Sequence, residues 1–505
     1  MSKITSKLKQ QLKDNPQNNL IKDETKGSWY TGSQLGADVQ AIKAALVKLK
    51  VGYQDTVLVC LPNMAAYPIL VQAIWEVGAI AHPVAATTPE AELKQILDAH
   101  DYTATVVQAT LTAAAVHQRP ATISTLRLHT AYQMNIIRYS EAAGHFAQAP
   151  AETDLALILN TSGTTGKPKR VGLTHELIKN GAEHDIESHQ MTALDTTLIV
   201  MPMFHINAQV VCVLATRLSG GKLVIAEKFS ASKFWAQVQA NQVTWVSVVP
   251  TIINILLMNK AARKAYQSDI RLRFVRCSSF ALPLDKLTKF QKLFHTIILE
   301  GYGMTETASQ CTLNPFDAPK VGSAGKPYKT DVAILVDGHI SPIVGEVGEI
   351  IVRGDHVISD YMEPHPESFM ADWFLTGDLG YFDEDGYLFV KGRKKDIINR
   401  GGEKVAPAQV ENVLSQLDFV KEVAVIGTPD ELYGEAVTAV IISRSKQPDA
   451  QLAQQIKAFA RLSLANYERP TRIVFVKDYP RNATGKVIRQ QLKTQILTAS
   501  VGESA

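Results

Sequence analysis

TSGTTGKPKR, residues 161–170, follows directly on LALILNT, an aliphatic run that predicts a buried strand. The ten residues comprise three Thr, one Ser, two Gly, one Pro and three basic side chains. Glycine lets the backbone approach a ligand closely, and hydroxyl, amide and lysine groups can surround phosphate oxygens. A strand that ends in such a loop predicts a phosphate-binding site in a protein of alternating strands and helices.

The spacing of this loop excludes the P-loop of nucleotide-hydrolysing ATPases. That motif requires four residues between its glycines and a Ser or Thr after its lysine. Here two residues separate Gly163 from Gly166, and Pro168 follows Lys167. A solvated polar turn is the plain structural alternative, and the density of hydroxyl and basic groups argues against it.

Helices and strands alternate on both sides of the loop. Before it, ADVQAIKAALVKLK predicts a helix, TVLVCLPN a buried strand, residues 65–78 a helix and TATVVQA a strand. Thr88 is predicted to cap a helix that has Pro89 in its first turn. The loop itself leads into a predicted helix, THELIKNGAEHDIESH, and TLIVMPM, GKLVIAE, VTWVSVVP and RFVRCSS predict strands. Helices of this length between short strands imply parallel strands with crossover helices, the α/β class.

The length of 505 residues predicts at least two domains, since single hydrophobic cores stop growing near roughly 250–300 residues. From about residue 320 the pattern changes to short strands, such as DVAILVDG and EVGEIIVRGD, between Gly, Pro and Asp turns. Beyond Gly392, the strands KEVAVIGT, AVTAVIIS and RIVFVKD and a helix near residues 450–464 predict a separate small α+β domain.

Composition restricts the class of protein further. Lys and Arg total 52 against 49 Asp and Glu, a net charge of +3, so nothing attracts the chain to nucleic acid or anionic membranes. The cysteines form no Cys-x-x-Cys pair, which favours a reduced, intracellular protein; they are Cys60, Cys212, Cys277 and Cys311. The N-terminus lacks the apolar core of a signal peptide, and the most apolar stretches do not make a membrane span. We expect a cytoplasmic protein.

Four further segments carry candidate functional residues. EGYGMTET, residues 300–307, places Glu306 two residues after Met304, and TGDLG places Asp378 in a tight turn. GRKKDIINRGGEKVAP comes next, and PRNATGKVIR ends the series with Lys486 in a Gly-containing loop. Taken alone, Asp378 is typical of a turn residue and Lys486 of a solvated surface lysine.

Together and in this order, the five segments resemble the acyl-activating superfamily of adenylate-forming enzymes: acyl-CoA synthetases, luciferases and peptide-synthetase adenylation domains. The resemblance extends from about residue 25 to residue 492. It implies an ATP-dependent carboxylic acid–CoA ligase, in which acid and ATP give an acyl-adenylate and diphosphate, and coenzyme A then displaces AMP. ATP, Mg²⁺ and coenzyme A are the implied cofactors. The implied partner is a small-molecule carboxylic acid, and a homodimer is left open.

The same resemblance implies a particular arrangement of domains. A large N-terminal adenylation domain, residues 1–394, should contain parallel sheets and a distorted β-barrel part. A small mobile α+β domain, residues 395–505, should follow it. Rotation of this domain between the two half-reactions requires a hinge, which family likeness places at Lys395.

Family likeness also implies roles for individual residues. Glu306 should bind Mg²⁺, Tyr302 should lie on adenine and Asp378 should accept hydrogen bonds from the ribose hydroxyls. Lys486 should stabilise phosphate charge during adenylation. The other residues implied to contact the nucleotide are Thr161, Ser162, Gly163, Thr164, Thr165, Gly166, Lys167, Lys169, Ser279, Ala281, Glu300, Gly301, Gly303, Met304, Thr305 and Arg393. Those implied to line the acyl channel are His205, Ser278 and Ser279, and those implied to meet coenzyme A are Lys228, Gly401 and Gly402.

The stretch RFVRCSSFALP bears on the identity of the acid. Fatty and aromatic acyl-CoA synthetases usually have Gly or Ala where this chain has Ser278 and Ser279. Hydroxyls buried against an apolar chain would be left unpaired, at a cost of about 1–3 kcal/mol each. We therefore expect a small polar acid, whose second carboxylate or carbonyl pairs with these hydroxyls and with His205. The stretch resembles that of the oxalate–CoA ligases, within the 4-coumarate–CoA ligase-like group, as do INRGGEKVAP and TASQCTLNP.

Three positions depart from the oxalate group, since Phe280 and Leu282 are bulkier than its usual residues and Gly303 replaces its common Ala. A short or medium aliphatic acid, or a carnitine-like acid, is the alternative substrate. A stand-alone enzyme that loads a carrier protein is the alternative function. A catalytically inactive module is disfavoured because Lys486 and Glu306 are both present, and nothing indicates a luciferin.

Overall fold

A computed structural model describes residues 1–108, 114–117, 119–131, 133–161, 169–270, 272–278, 282–481 and 487–502. The strands are β1 Asn19–Asp23, β2 Ser28–Thr31, β3 Thr56–Cys60, β4 Ile80–Pro83, β5 Ala104–Gln108, β6 Ala121–Leu126, β7 Met134–Tyr139, β8 Leu155–Thr161, β9 Lys169–Thr174, β10 Thr196–Ile199, β11 Lys222–Ile225, β12 Trp245–Val248, β13 Phe274–Cys277, β14 Ile298–Tyr302, β15 Thr312–Leu313, β16 Lys326–Pro327, β17 Asp331–Val336, β18 His339–Ile340, β19 Gly348–Arg353, β20 Phe369–Met370, β21 Trp373–Phe382, β22 Leu388–Arg393, β23 Ile398–Arg400, β24 Glu403–Val405, β25 Val420–Asp430, β26 Gly434–Ser443 and β27 Arg472–Phe475. The helices are α1 Lys3–Asp14, α2 Gly32–Lys48, α3 Ala66–Glu76, α4 Glu90–Ala99, α5 Ala114–His117, α6 His175–Ser188, α7 Ala215–Leu218, α8 Phe234–Ala240, α9 Pro250–Met258, α10 Lys260–Ala265, α11 Leu284–Phe294, α12 Pro407–Leu414, α13 Asp449–Ser463 and α14 Arg489–Gly502.

Two large sheets contain the predicted parallel strands. One has the order β6-β7-β5-β3-β4-β8-β9, in which β3 pairs in parallel with β4 and β5, and β4 with β8. The other has the order β16-β15-β14-β13-β12-β10-β11-β1-β2, with parallel pairing from β14 through to β1. Helix α3 is buried along its whole length, as expected of a helix that is apolar on every face. The predicted α/β class is confirmed.

The second of these sheets positions much of the candidate site. Parallel strands bring their carboxyl ends to one edge of a sheet, and ligands of open α/β sheets bind outside that edge. Strand β13 ends at Cys277 and β14 ends at Tyr302, so RFVRCSS and EGYGMTET meet there. Strand β10 ends at Ile199, shortly before His205.

A third sheet is antiparallel, with the order β18-β17-β19-β21-β20, and β22 also pairs with β21. It corresponds to the part predicted as a distorted barrel, although its hydrogen-bonded order is open. Asp378 lies inside β21 and pairs in register with Arg393 at the end of β22. The prediction of a tight turn at Asp378 is therefore wrong: strand alternation buries this side chain, whereas a turn would expose it.

A fourth sheet begins after β22, with the order β24-β23-β26-β25 and β27 paired in parallel with β26. Its own apolar core includes Ile398, Val410, Val425 and Ile456. The chain leaves the third sheet at Arg393 and enters the fourth at Ile398. The division after residue 394 stays a prediction.

Two local predictions are corrected by the structure. Thr88 does not cap α4, because its hydroxyl donates to the carbonyl of Ala85 and the cap position is occupied by Pro89. The loop 162–168 does not lead directly into a helix, because β9 returns antiparallel to β8 before α6 begins. Within the described part of the chain, no helix is long and apolar enough to cross a membrane.

Candidate active site

A cavity of about 420 Å³ lies where the carboxyl edge of the second sheet faces the fourth sheet. Seven of the predicted nucleotide contacts line it: Glu300, Gly301, Tyr302, Gly303, Met304, Asp378 and Arg393. The fourth-sheet side is contributed by α12, by β25 and by the segment near Arg481 and Val487. The predicted contacts Ser162, Gly163, Thr164, Thr165, Gly166, Lys167, Ser279, Ala281 and Lys486 lie outside the described residues.

The carboxylate of Asp378, which lines this cavity, has two close polar neighbours. The Tyr302 hydroxyl donates to Asp378 Oδ2 at 2.8 Å, and Arg393 Nε is 2.7 Å from Asp378 Oδ1. Burial raises the pKa of the Tyr302 phenol well above its usual value, and the nearby Asp378 charge adds to this effect. Tyr302 therefore stays a hydrogen-bond donor at neutral pH, and the group of three holds the carboxylate in one orientation.

Glu300 has a structural task beside the cavity. Its Oε1 accepts the backbone N–H of Leu282 at 3.3 Å and its Oε2 that of Gly322 at 3.4 Å. Burial raises the pKa of Glu300 to about 7, and these two hydrogen bonds limit the rise. Glu300 thus fastens two loops that border the cavity.

Glu306 lies in a short 3₁₀ turn, Thr305–Thr307, and is 8% exposed. Its Oε1 accepts a hydrogen bond of 2.9 Å from the Tyr361 hydroxyl, and the Lys169 ammonium lies 4.5 Å from the centre of the Tyr361 ring. Burial raises the pKa of Glu306, while the Tyr361 hydroxyl lowers it. A buried carboxylate with a second oxygen available suits a hard cation such as Mg²⁺. Tyr361 was not singled out from the sequence, because nothing local distinguishes a Tyr that follows a turn.

The predicted phosphate loop is bracketed by paired residues. Thr161 and Lys169 face each other across the β8–β9 hairpin, and the Thr161 hydroxyl lies 3.4 Å from the Lys169 carbonyl. The Lys169 ammonium donates to Ser368 Oγ at 3.1 Å. A methyl group on Gly303 would come within 2.0 Å of the Ser309 carbonyl oxygen. This close approach explains why position 303 is glycine in this chain, although the oxalate–CoA ligases commonly have alanine there.

His205 lies just before a π-helix, Asn207–Leu214, an element that often marks functional sites. Burial lowers the pKa of His205 to about 4, so the ring is neutral at pH 7. Its Nε2 is buried and has no hydrogen-bond partner among the described residues. Two residues after His205, the Asn207 side-chain amide donates to Ser278 Oγ at 3.2 Å and accepts from Ser247 Oγ at 2.9 Å.

A buried arginine shares the hydroxyl of Ser278. Arg276 is 1% exposed, and its two terminal nitrogens lie 2.7 Å from Ser278 Oγ and 3.4 Å from Gln310 Oε1. Its Nε is buried without a hydrogen-bond partner among the described residues. The Ser278 hydroxyl therefore already has protein partners, whereas the sequence argument expected it to need a partner on the acid. Arg276 Nε is the donor of this group that lacks a partner among the described residues.

The charge nearest to Arg276 is itself unusual. Asp185 on α6 is fully buried, its Oδ2 accepts from Ser309 Oγ at 2.9 Å, and its Oδ1 has no described partner. Burial raises the pKa of Asp185 to about 7, and the Arg276 charge limits the rise. Near neutral pH, Asp185 is therefore protonated in part and supplies only part of a counter-charge. Sequence reasoning missed both residues, which are separated by 91 positions and meet only in the fold.

The remaining predicted residues lie away from the cavity. Lys395 is exposed in the 3₁₀ turn Lys394–Asp396, between the third and fourth sheets. Gly401 and Gly402 form the turn of the β23–β24 hairpin with φ of +62° and +94°, which favours glycine. Lys228 is exposed after β11.

Comparison with known proteins agrees with this geometry. Residues 8–362 match the model of the AMP-binding enzyme family, and residues 409–486 match the AMP-binding enzyme C-terminal domain. The chain is 34% identical to a sulfoacetate–CoA ligase of Cupriavidus necator over 481 residues, which is 92% of each chain. It is 36% identical to an oxalate–CoA ligase of Arabidopsis thaliana over 67% of this chain and 66% of that one. An o-succinylbenzoate CoA synthetase from Bacillus subtilis, solved with ATP and magnesium ion, superimposes with a TM-score of 0.83 at 26% identity, covering 96% of this chain and 99% of that one.

The chain belongs to the AMP-binding enzyme family. It is an AMP-forming acid–thiol ligase, an acyl-CoA synthetase that works through an acyl-adenylate and uses ATP, Mg²⁺ and coenzyme A. The class of enzyme and the cofactors expected from the sequence are confirmed.

Proposed function

We propose that the acid is small and carries a second anionic group beside the carboxylate that is activated. The observation that carries this proposal is Arg276, a guanidinium buried beside Ser278 with Nε unpartnered among the described residues. A buried charge is costly unless it is paired and hydrogen-bonded. Because burial raises the pKa of Asp185 to about 7, its counter-charge is incomplete near neutral pH, and a second anion on the acid would complete the pairing.

An apolar acyl chain fits this wall poorly. Asn207, Ser247, Ser278 and Gln310 form one hydrogen-bonded group with Arg276. A hydrocarbon placed against it would exclude water from these groups and leave donors unpaired, at about 1–3 kcal/mol for each group. A carboxylate or sulfonate oxygen accepts such donors.

Two relatives support this class of acid by name, since sulfoacetate carries a sulfonate and oxalate a second carboxylate. A 30% identical relative is a long-chain-fatty-acid–CoA ligase of Mycobacterium tuberculosis. A short or medium aliphatic acid, or a carnitine-like acid, therefore remains the alternative, and direct assay decides between them. Assay with coenzyme A also separates a CoA ligase from a stand-alone carrier-loading enzyme.

We further propose how the residues act. In the first half-reaction a carboxylate oxygen of the acid attacks the α-phosphorus of ATP, and the bond to diphosphate breaks. Asp378 holds the ribose, Tyr302 lies on adenine, and Lys486 neutralises charge that develops on the phosphate. Mg²⁺, held by Glu306, would supply charge neutralisation on the phosphate oxygens. The loop 162–168 holds the outgoing diphosphate, with Thr161 and Lys169 at its base.

In the second half-reaction the coenzyme A thiol attacks the acyl carbon and AMP leaves. We propose that the unit of residues 395–505 then turns about Lys395, which withdraws Lys486 and brings Gly401 and Gly402 to the thiol channel. The exposure of Lys395 between two sheets supports this hinge. His205, neutral and unpartnered at Nε2, can accept a hydrogen bond in the acyl channel.

The test measures kcat/KM for acyl-CoA formation with oxalate, malonate, sulfoacetate, acetate, hexanoate and palmitate. We expect one of the first three to be preferred over acetate and palmitate. Arg276→Met should lower kcat/KM for that acid by about 10- to 150-fold, the equivalent of a hydrogen bond of 1.5–3 kcal/mol to a charged group. It should leave acetate nearly unchanged.

Arg273→Met is the matched control, because Arg273 precedes the same strand and donates to the carbonyls of His189 and Gln190. It should change kcat/KM for all acids alike. A wild-type preference for palmitate or hexanoate would refute the proposed acid and leave the ligase class intact.

A further inference from the structure

A cluster of metal-ligating side chains lies outside the active site, between α6 and the segment after β19. It consists of His184, Asp355 and His356, whose candidate ligand atoms all lie within 4.8 Å of one another. His184 Nε2 is 3.5 Å from Asp355 Oδ1, and His356 Nδ1 is 3.4 Å from the same oxygen. The two imidazole rings meet edge to face with centres 4.8 Å apart.

The hydrogen bond on the far side of His356 determines which nitrogen carries its proton. His356 Nε2 is 2.9 Å from the Gln310 carbonyl oxygen, which can only accept. Nε2 is therefore protonated, and in the neutral ring Nδ1 carries a lone pair. Histidines that bind a metal through one ring nitrogen commonly donate a hydrogen bond from the other to a backbone carbonyl.

This tautomer leaves acceptors facing one another. His356 Nδ1 lies 3.4 Å from Asp355 Oδ1, and His184 Nε2 lies 3.5 Å from the same oxygen. His356 is fully buried and His184 is 8% exposed, so solvent satisfies these atoms poorly. Asp355 is the most exposed of the three, with 60% of its side chain exposed.

The distances suit a tetrahedral metal ion. Zinc bonds of roughly 2.0–2.2 Å to nitrogen and oxygen place neighbouring ligands about 3.4 Å apart. Two of the three separations, 3.4 and 3.5 Å, already have that length. Two imidazoles with one carboxylate favour Zn²⁺ and similar late transition metals over Mg²⁺, which takes oxygen ligands.

We propose that His184, Asp355 and His356 bind one divalent cation of the Zn²⁺ class, with water as the solvent-side ligand. The site is distinct from the Mg²⁺ position at Glu306, whose ligand is an oxygen. Bound metal would tie α6 to the segment after β19, in which the Ile358 N–H donates to the Glu306 carbonyl at 2.9 Å. It would thereby brace the 3₁₀ turn that carries Glu306.

The test uses the full-length protein, stripped with a chelator and dialysed, and titrated with ZnCl₂ by calorimetry and by equilibrium dialysis. Wild type should take up one equivalent and gain thermal stability in proportion to saturation. Asp355→Asn should lower the affinity for Zn²⁺ by more than the roughly 10- to 100-fold that is lost when a residue hydrogen-bonded to a metal ligand is removed. It should also abolish the gain in Tm. Asp355 is largely exposed and its backbone carbonyl still accepts from Asn180, so this variant should fold.

His365→Gln is the matched control, because His365 forms another His–carboxylate pair, at 2.9 Å with Glu367, for which the described residues supply no third ligand. It should bind Zn²⁺ as wild type does. His184→Gln provides a second variant and should behave as Asp355→Asn does. Equal Zn²⁺ affinity in wild type, Asp355→Asn and His184→Gln would overturn the proposal.

Discussion

Tyr361→Phe tests how the fold holds the proposed Mg²⁺ ligand. The change removes one hydroxyl, which donates to Glu306 Oε1 at 2.9 Å, and keeps the ring over which Lys169 lies. A hydrogen bond to a charged group contributes about 1.5–3 kcal/mol, and Glu306 is 8% exposed, so water compensates little. Adenylation, measured as ATP–pyrophosphate exchange, should therefore fall by about 10- to 150-fold.

The pH dependence adds a second readout. The Tyr361 hydroxyl lowers the pKa of Glu306, which burial raises. Without that hydroxyl the pKa rises further, and the protonated carboxyl cannot ligate a cation. The deficit of Tyr361→Phe should consequently grow as pH falls, and it should shrink at high Mg²⁺ concentration, because binding of the cation favours the ionised form.

Tyr387→Phe is the matched control for this prediction. Tyr387 is also buried, its hydroxyl donates to the Ala318 carbonyl, and its ring faces the Lys320 ammonium at 4.9 Å. Exchange should stay within about twofold of wild type in this variant. If Tyr361→Phe matches wild type in rate and in pH profile, the assignment of Tyr361 as a positioning residue is wrong.

Three further predictions concern the half-reactions and the acid. Lys486→Ala should abolish pyrophosphate exchange and spare thioester formation from pre-made acyl-adenylate; normal exchange would contradict the role proposed for this lysine. Lys395→Pro should impair thioester formation far more than exchange, since proline fixes φ near roughly −65°, whereas equal losses would indicate misfolding or no rotation. Asp185→Asn should remove a rise in KM for the second-anion acid above pH 7, where ionised Asp185 competes for Arg276; identical KM profiles in both proteins would exclude that competition.

Periodicity in the sequence was enough to predict the parallel strands and the α/β class. Hydrophobic runs such as those of β3, β8 and β12 are long enough to be read without tertiary information. Strand β9 was not predicted, because apolar and polar residues alternate only weakly in KRVGLT and its pairing with β8 depends on the loop between them. Asp378 was placed in a turn because Gly377, with φ of +71°, imitates one inside β21.

The residues of the candidate site likewise fall into those that the sequence singles out and those that only the fold reveals. Residues in dense motifs, such as Tyr302 and Glu306, could be singled out as candidates because several unusual residue types recur within a few positions. Arg276 and Tyr361 could not, since each is a single residue whose meaning depends on partners far away in the chain. Arg276 in a strand is typical of an edge or a half-exposed face, and only the fold shows that this side chain is buried.

The polar group around Arg276, which we propose contacts the acid, is expected to cost folding stability in the free enzyme. Replacing a buried ionic group with apolar residues of similar volume is often neutral or stabilising, so fold stability alone does not favour Arg276. An ionised Asp185 would offset this cost, yet burial raises the pKa of Asp185 and so opposes its ionised form. We therefore expect the anion that pairs with Arg276 to come from the acid. Under the proposed function, an acid with a second anion would pair with Arg276 on binding, whereas an apolar acid of equal size would not. The residues that destabilise the free protein would then select the substrate.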